Sequence, residues 1–136
     1  VERFTARSGY GNADVRDEAE QGSYWYDGSL RISANEQVRF LQRLHNGELG
    51  LSARTTDMIR QVALVEETPR WRLVAKTGAC RGVGEQTTTH WYVGWVEKAD
   101  NTYYFALRLA ADSFEPALRD RVPIARDLLA RLHILD

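Results

Sequence analysis

Three runs in the second half of the chain alternate with period two, and together they leave few folds open. Trp71, Leu73 and Ala75 point one way in the first run; Trp91, Val93 and Trp95 do so in the second, and Tyr103, Phe105, Leu107 and Leu109 in the third. Such alternation marks strands whose two faces meet different surroundings. The Ala99-Asp100-Asn101 segment is a turn between the second and third runs, so the pattern predicts a three-stranded antiparallel meander. The opposite faces of the second and third strands are apolar as well, with Tyr92, Val96, Tyr104 and Ala106. A sheet apolar on both faces needs covering on both, which predicts helices on each side.

The helices are signalled by their own residues. Ser33-Ala34-Asn35-Glu36 is a capping box, and Val38, Leu41 and Leu44 follow on one face, so a helix is expected over 34–45, stopping at Asn46-Gly47. Ser52 caps a second helix through Met58, Ile59 and Val62, with Pro69 preventing its continuation. Ile124, Leu128 and Leu132 at helical spacing predict a last helix packed by that stripe on the sheet. Residues 8–29, rich in Gly, Asn, Asp and Ser with aromatics between them, read as a structured loop region, the kind of place where function sits.

Composition bounds the rest. A chain of 136 residues suits one domain or half of one, and a net charge of -1 offers nothing to attract nucleic acid or an anionic membrane. No apolar run is long enough to span a bilayer, and no basic-then-apolar segment opens the chain at Val1. Cys80 is the single cysteine, which rules out an internal disulfide and, with no His or Cys beside it, argues against a metal site. The arginines are scattered among Asp and Glu and form no basic patch. His45, His90 and His133 carry no motif and are expected at a surface or an interface.

The tripeptide Lys76-Thr77-Gly78 stands where the first strand is expected to end, followed by a glycine-spaced loop and the strand Trp91-Tyr92-Val93-Gly94-Trp95-Val96-Glu97. There the Lys sets a fixed positive charge, the Thr adds a hydroxyl donor, and the Gly leaves room for another backbone against the strand edge. Such a strand suits a carboxylate-bearing, peptide-like ligand. Three further segments keep it company: Tyr10-Gly11-Asn12, then Tyr24-Trp25-Tyr26-Asp27-Gly28-Ser29-Leu30-Arg31-Ile32-Ser33, and Ala117-Leu118-Arg119-Asp120-Arg121-Val122-Pro123. In this order and spacing, from about Gly9 to the end, the sequence resembles the C-terminal half of the class D (oxacillinase-type) serine β-lactamases.

That resemblance implies an α+β fold of the β-lactamase/transpeptidase type, an antiparallel sheet flanked by helices on both faces. This chain would supply about three strands, two preceding helices and the C-terminal helix. It also implies site roles. Lys76 would line the substrate cleft, Thr77 and Gly78 would meet the ligand, and the Ala79 backbone N–H would be one of two oxyanion-hole donors. Arg119 would clamp the β-lactam carboxylate, with Arg121 a bystander. The Trp25 indole would donate to a carboxylated lysine, and Tyr10 and Asn12 would belong to the substrate-binding wall, Asn12 chiefly as a structural turn.

The nucleophile implied by the resemblance is absent. The only lysines are Lys76 and Lys98, the residues three before them are Leu73 and Trp95, and so no Ser-x-x-Lys exists in the chain. The family's Ser-x-Val is missing too. Residues 1–136 are therefore expected to be the C-terminal portion of a single domain whose N-terminal portion carries the serine. The implied activity is β-lactam hydrolysis by acyl transfer in a periplasmic or secreted protein, with no metal or organic cofactor and CO2 held as a lysine carbamate in the other half. Its partners would be β-lactam antibiotics and its own N-terminal half; a homodimer stays open. A penicillin-sensing receptor domain and an inert fragment are the alternatives.

Overall fold

The computed structural model describes residues 1–16, 24–25, 29–81 and 86–136. Its elements run α1 (Glu2–Ser8), α2 (Ala34–His45), α3 (Ala53–Val62), β1 (Leu64–Glu67), β2 (Trp71–Cys80), β3 (Thr88–Lys98), β4 (Thr102–Ala111) and α4 (Phe114–Arg131). The Tyr26-Asp27-Gly28 part of the aromatic motif and the glycine-spaced residues 82–85 lie outside the described residues.

The strands form one antiparallel sheet in the order β1-β2-β3-β4. The anticipated meander is its β2-β3-β4 part, and β1 is an addition: four residues, two of them glutamates, too short and too charged to announce themselves. A register shift between Leu64 and Glu66 interrupts its pairing with β2. Pro69 accordingly does not stop α3, which ends at Val62, but lies in the connection between β1 and β2. The N-terminal helix α1 was also not anticipated; it closes at Gly9, whose φ of +61° is the left-handed cap that glycine adopts without strain.

Alternation along the strands sorts the core onto two faces. Trp71, Leu73, Ala75, Tyr92 and Val96 face α4 and pack with its Ala125 and Leu129 and with Ile134. Val74 and Trp95 face α2 and pack with its Leu41. Helices do cover both sides, as the apolar patterning requires. Close approach of β2 and β3 depends on Gly94, where a Cβ would come within 2.2 Å of the Val74 carbonyl oxygen and 2.8 Å of Ala75 Cα.

Two expectations about side chains are corrected. The stripe Ile124, Leu128 and Leu132 is the exposed side of α4, and the inward face is Ala117, Ala125 and Leu129. His90 is no surface residue either, being 0 % exposed. α2 is fixed at both ends. Ser33 Oγ accepts from Glu36 N at 3.3 Å while Glu36 Oε2 accepts from Ser33 N at 2.8 Å. At its other end His45 Nε2 lies 3.2 Å from Glu97 Oε1, which also accepts from Trp95 Nε1 at 2.9 Å, and Tyr104 OH lies 2.9 Å from His45 Nδ1. Among the described residues no helix is long and apolar enough to cross a membrane.

Candidate functional site

Lys76-Thr77-Gly78 does not end a strand; it is the middle of one. β2 continues to Cys80, and all ten of its residues pair with β3, from Trp71 opposite Lys98 to Cys80 opposite Thr89. On the other side β1 reaches only as far as Val74 in the paired register, with one further bond from Ala75 N to Ala63 O at 2.9 Å. Among the described residues no strand lies beside the outer edge of residues 76–80. The chain thus holds a stretch of strand that is anchored along one edge and open along the other.

The alternation of strand amides says which groups that open edge presents. Ala75 N–H points to the β1 side, so the amides of Thr77 and Ala79 follow it to the same edge, and those of Lys76, Gly78 and Cys80 turn toward β3. Lys76 is exposed, and its Nζ donates to the Thr77 carbonyl oxygen at 2.5 Å, which sets a cation directly at the open edge. Gly78 is extended, and a Cβ there would meet only Trp91 Cβ, at 3.8 Å. The fold does not need glycine at 78 as it does at 94. What the missing side chain leaves free is space over an unpaired strand edge.

Tyr10-Gly11-Asn12 is a brace. Asn12 Oδ1 accepts from Arg31 N at 2.9 Å, its Nδ2 donates to Ser29 O at 2.8 Å, and its backbone N–H donates to Arg31 O at 2.9 Å. This clip brings the chain so near that Gly11, at φ +54°, could carry no Cβ: the atom would lie 1.9 Å from Arg31 O. Tyr10 is turned inward, its ring edge-on to Phe40 of α2 at 4.7 Å, and burial pushes its phenol above the ordinary value against a smaller pull from Gln37. It lines an open apolar recess of about 200 Å³ with Phe4, Leu30 and Phe40. Trp25 is 59 % exposed, its ring edge-on to Tyr24 at 4.9 Å.

Arg119 and Arg121 have unlike surroundings. The Arg119 side chain is 77 % exposed, and its Nε donates to the neighbouring Asp120 at 2.7 Å. Arg121, two residues on and so on the opposite side of the helix, is half-buried and donates from Nη1 to the Gly78 carbonyl at 3.2 Å. The structure therefore brings Arg121, expected as a bystander, to the Lys76-Thr77-Gly78 strand and leaves Arg119 exposed and paired with Asp120. Arg121 could have been found from the four-residue spacing Ala117-Arg121-Ala125-Leu129, which marks the inner face of α4. His90, the cross-strand partner of Ala79, carried no comparable signal.

Comparison with known proteins matches this geometry to a family. Residues 2–130 match the family described as penicillin binding protein transpeptidase domain. Beta-lactamase OXA-20 of Pseudomonas aeruginosa is 35 % identical over 132 residues, 97 % of this chain and 47 % of that protein. Among solved structures, a class D beta-lactamase from Sebaldella termitidis superposes with a TM-score of 0.88 at 31 % identity, covering 99 % of this chain and 54 % of that one. The C-terminal domain of the Bacillus licheniformis BlaR penicillin-receptor does so with a TM-score of 0.86 at 28 % identity, covering 98 % and 52 %. This chain spans about half the length of the curated relatives it matches. Fold, strand and motif order agree with what was matched: the chain belongs to the penicillin-binding-protein transpeptidase-domain family, with class D β-lactamases as its relatives.

Proposed function

We propose that residues 1–136 are the C-terminal half of a single β-lactamase/transpeptidase-like domain and that, joined to a half bearing Ser-x-x-Lys, they serve the hydrolysis of β-lactam antibiotics. The observation that carries this reading is the open edge of β2, where the amides of Thr77 and Ala79 lie beside the Lys76 ammonium. A β-lactam is a strained peptide mimic with a carboxylate. Bound along that edge it would place its carbonyl oxygen on the Ala79 N–H, the second oxyanion donor coming from the nucleophile's own amide. Removing one such donor typically costs about 2.7 to 4 kcal/mol of transition-state stabilisation.

In this scheme the serine of the other half attacks the lactam carbonyl and the C–N bond breaks, leaving an acyl-enzyme that water then hydrolyses. A carboxylated lysine of that half takes the proton first from serine and then from water. Lys76 holds positive charge beside the reacting centre, Thr77 and Gly78 meet the substrate, and Arg119 swings in to clamp the carboxylate, a planar guanidinium being suited to that bidentate contact. The exposed Trp25 indole becomes the donor that steadies the carbamate, and Tyr10 and Asn12 shape the wall. Further support for a missing half comes from β4, a ten-residue strand with no outer neighbour among the described residues, and from the exposed Ile124, Leu128 and Leu132. A periplasmic or secreted enzyme of antibiotic resistance is the biological setting proposed.

The likeness to the BlaR penicillin-receptor domain favours one second reading, a sensor that is acylated and keeps the acyl group. Product release by the acylated full-length protein separates the two. The chain alone is expected to be inert toward a chromogenic cephalosporin, because no serine in it has the lysine base that acyl transfer needs. Turnover by the purified chain, abolished by a substitution within it, would overturn the assignment of the nucleophile to another half.

A further inference from the structure

The Gly78 carbonyl and the Ala79 N–H belong to one peptide group, and this links Arg121 to the open edge. A trans peptide is planar with its C=O and N–H pointing opposite ways, so the Gly78 carbonyl faces β3, opposite Trp91, and whatever holds it there helps to aim the Ala79 amide. Arg121 Nη1 adds a second donor to this ladder carbonyl from the α4 side, at 3.2 Å. A guanidinium on a carbonyl is a charge-assisted bond, and it draws electron density toward the oxygen, which strengthens the N–H at the far end as a donor.

The surroundings hold Arg121 to this task. Its neighbour His90, opposite Ala79 on β3, is fully buried. With the Thr88 hydroxyl hydrogen on Ala111 O at 3.0 Å, that hydroxyl accepts from His90 Nε2 at 2.9 Å, and Nδ1 is buried with no partner among the described residues. Burial, and after it the Arg121 charge, hold the His90 pKa below its ordinary value. The Phe114 ring, 4.9 Å away and tilted by 56°, packs against the imidazole. Arg121 thus places its charge near a fully buried imidazole. Its Nε is buried without a hydrogen-bond partner among the described residues, so the bond to Gly78 O is the fixed point of its side chain.

We propose that Arg121 is a positioning residue: from behind β2 it aims and polarises the Ala79 N–H, and it sets that donor in register with the helix that carries Arg119. The inference rests on the reading of Ala79 N–H as an oxyanion donor. The donor acts on charge that develops only in the transition state, so its loss of aim falls on kcat more than on KM.

The test uses the full-length protein, with the nucleophile-bearing half, and the variants Arg121→Met, Arg121→Gln and Arg121→Lys. Arg121→Met, which keeps bulk without charge, is expected to lower kcat for penicillins by roughly tenfold to a hundredfold with KM altered less than about threefold. Arg121→Lys should recover most of that loss, and Arg121→Gln, a neutral donor, should fall between. Independently of activity, the Gly78 carbonyl 13C and Ala79 amide 15N resonances should move in Arg121→Met and return toward their original positions in Arg121→Lys. A lower Tm with kcat unchanged overturns the inference, as does a Lys variant no better than Met. Should Arg121→Met not fold, a Gln variant with unaltered kcat and resonances overturns it equally. Should the unmutated protein neither turn over nor become acylated, the functional reading falls, and the resonances alone decide whether Arg121 aims the peptide.

Discussion

The two halves of β2 obey the same backbone geometry and do opposite work. From Trp71 to Ala75 the strand is paired on both edges and almost wholly buried, between α4 on one face and α2 on the other. From Lys76 to Cys80 it is paired on one edge only, and none of its residues is buried. The first half is held by packing, since Leu73 and Val74 are among the largest fully buried side chains. The second half is held by hydrogen bonds from β3 and from Arg121, and what its outer edge presents is backbone. A strand can therefore carry a binding edge without weakening its fold, provided the buried half comes first and sets the register.

Two glycines test that division most sharply. In the full-length protein Gly94→Ala is expected to cost about 3 kcal/mol or more, measured by denaturant midpoint, because its Cβ would strike Val74 O and Ala75 Cα. Gly78→Ala should cost less than about 1 kcal/mol, since its Cβ meets only Trp91 Cβ. It should nonetheless lower kcat/KM by roughly tenfold or more, through displaced substrate. Equal stability costs at the two sites would break the comparison.

At Arg119, which no buried contact holds in place, the effect is expected in catalysis alone and not in stability. Arg119→Ala should raise KM and lower kcat/KM for penicillins by roughly one to three powers of ten, with Tm unchanged. Unchanged kinetics would remove Arg119 from the site.

The mildest effect concerns His90, behind the open half. Its folded pKa lies below 6.5, so as pH falls the unfolded chain takes up the proton first. Stability from this group is fully present above about pH 6.5 and declines below it until the folded ring titrates. Chemical denaturation between pH 7 and 5 should show that decline flattened in His90→Gln. An identical pH slope in both proteins would show that His90 is not held neutral by the fold.

The legible parts of the molecule were those set by short-range rules. The Ser33/Glu36 box fixed the start of α2 because both partners lie within one turn, and period-two alternation gave the faces of β2, β3 and β4 correctly. α4 was harder, because two stripes at four-residue spacing coexist. Hydropathy favours Ile124, Leu128 and Leu132, yet small Ala117 and Ala125 are what let the helix approach the sheet. Arg121, expected as a bystander, was misjudged for a related reason. An arginine is expected outside, and although its four-residue spacing with Ala117 and Ala125 turns it inward, that spacing does not name the carbonyl 43 residues away that accepts from it.

The Asn12 clip has a consequence for how this molecule can change. The clamp is the three bonds of Asn12 to Ser29 and Arg31, tightened by Gly11, where no side chain fits. Lengthening a tethered loop costs little, about 0.6 kcal/mol for each doubling. Added length between Asn12 and Ser29 is therefore expected to cost folding little so long as the clamp holds its ends together. The clamp thus puts closure of this segment on Gly11 and Asn12 and leaves its length a separate variable.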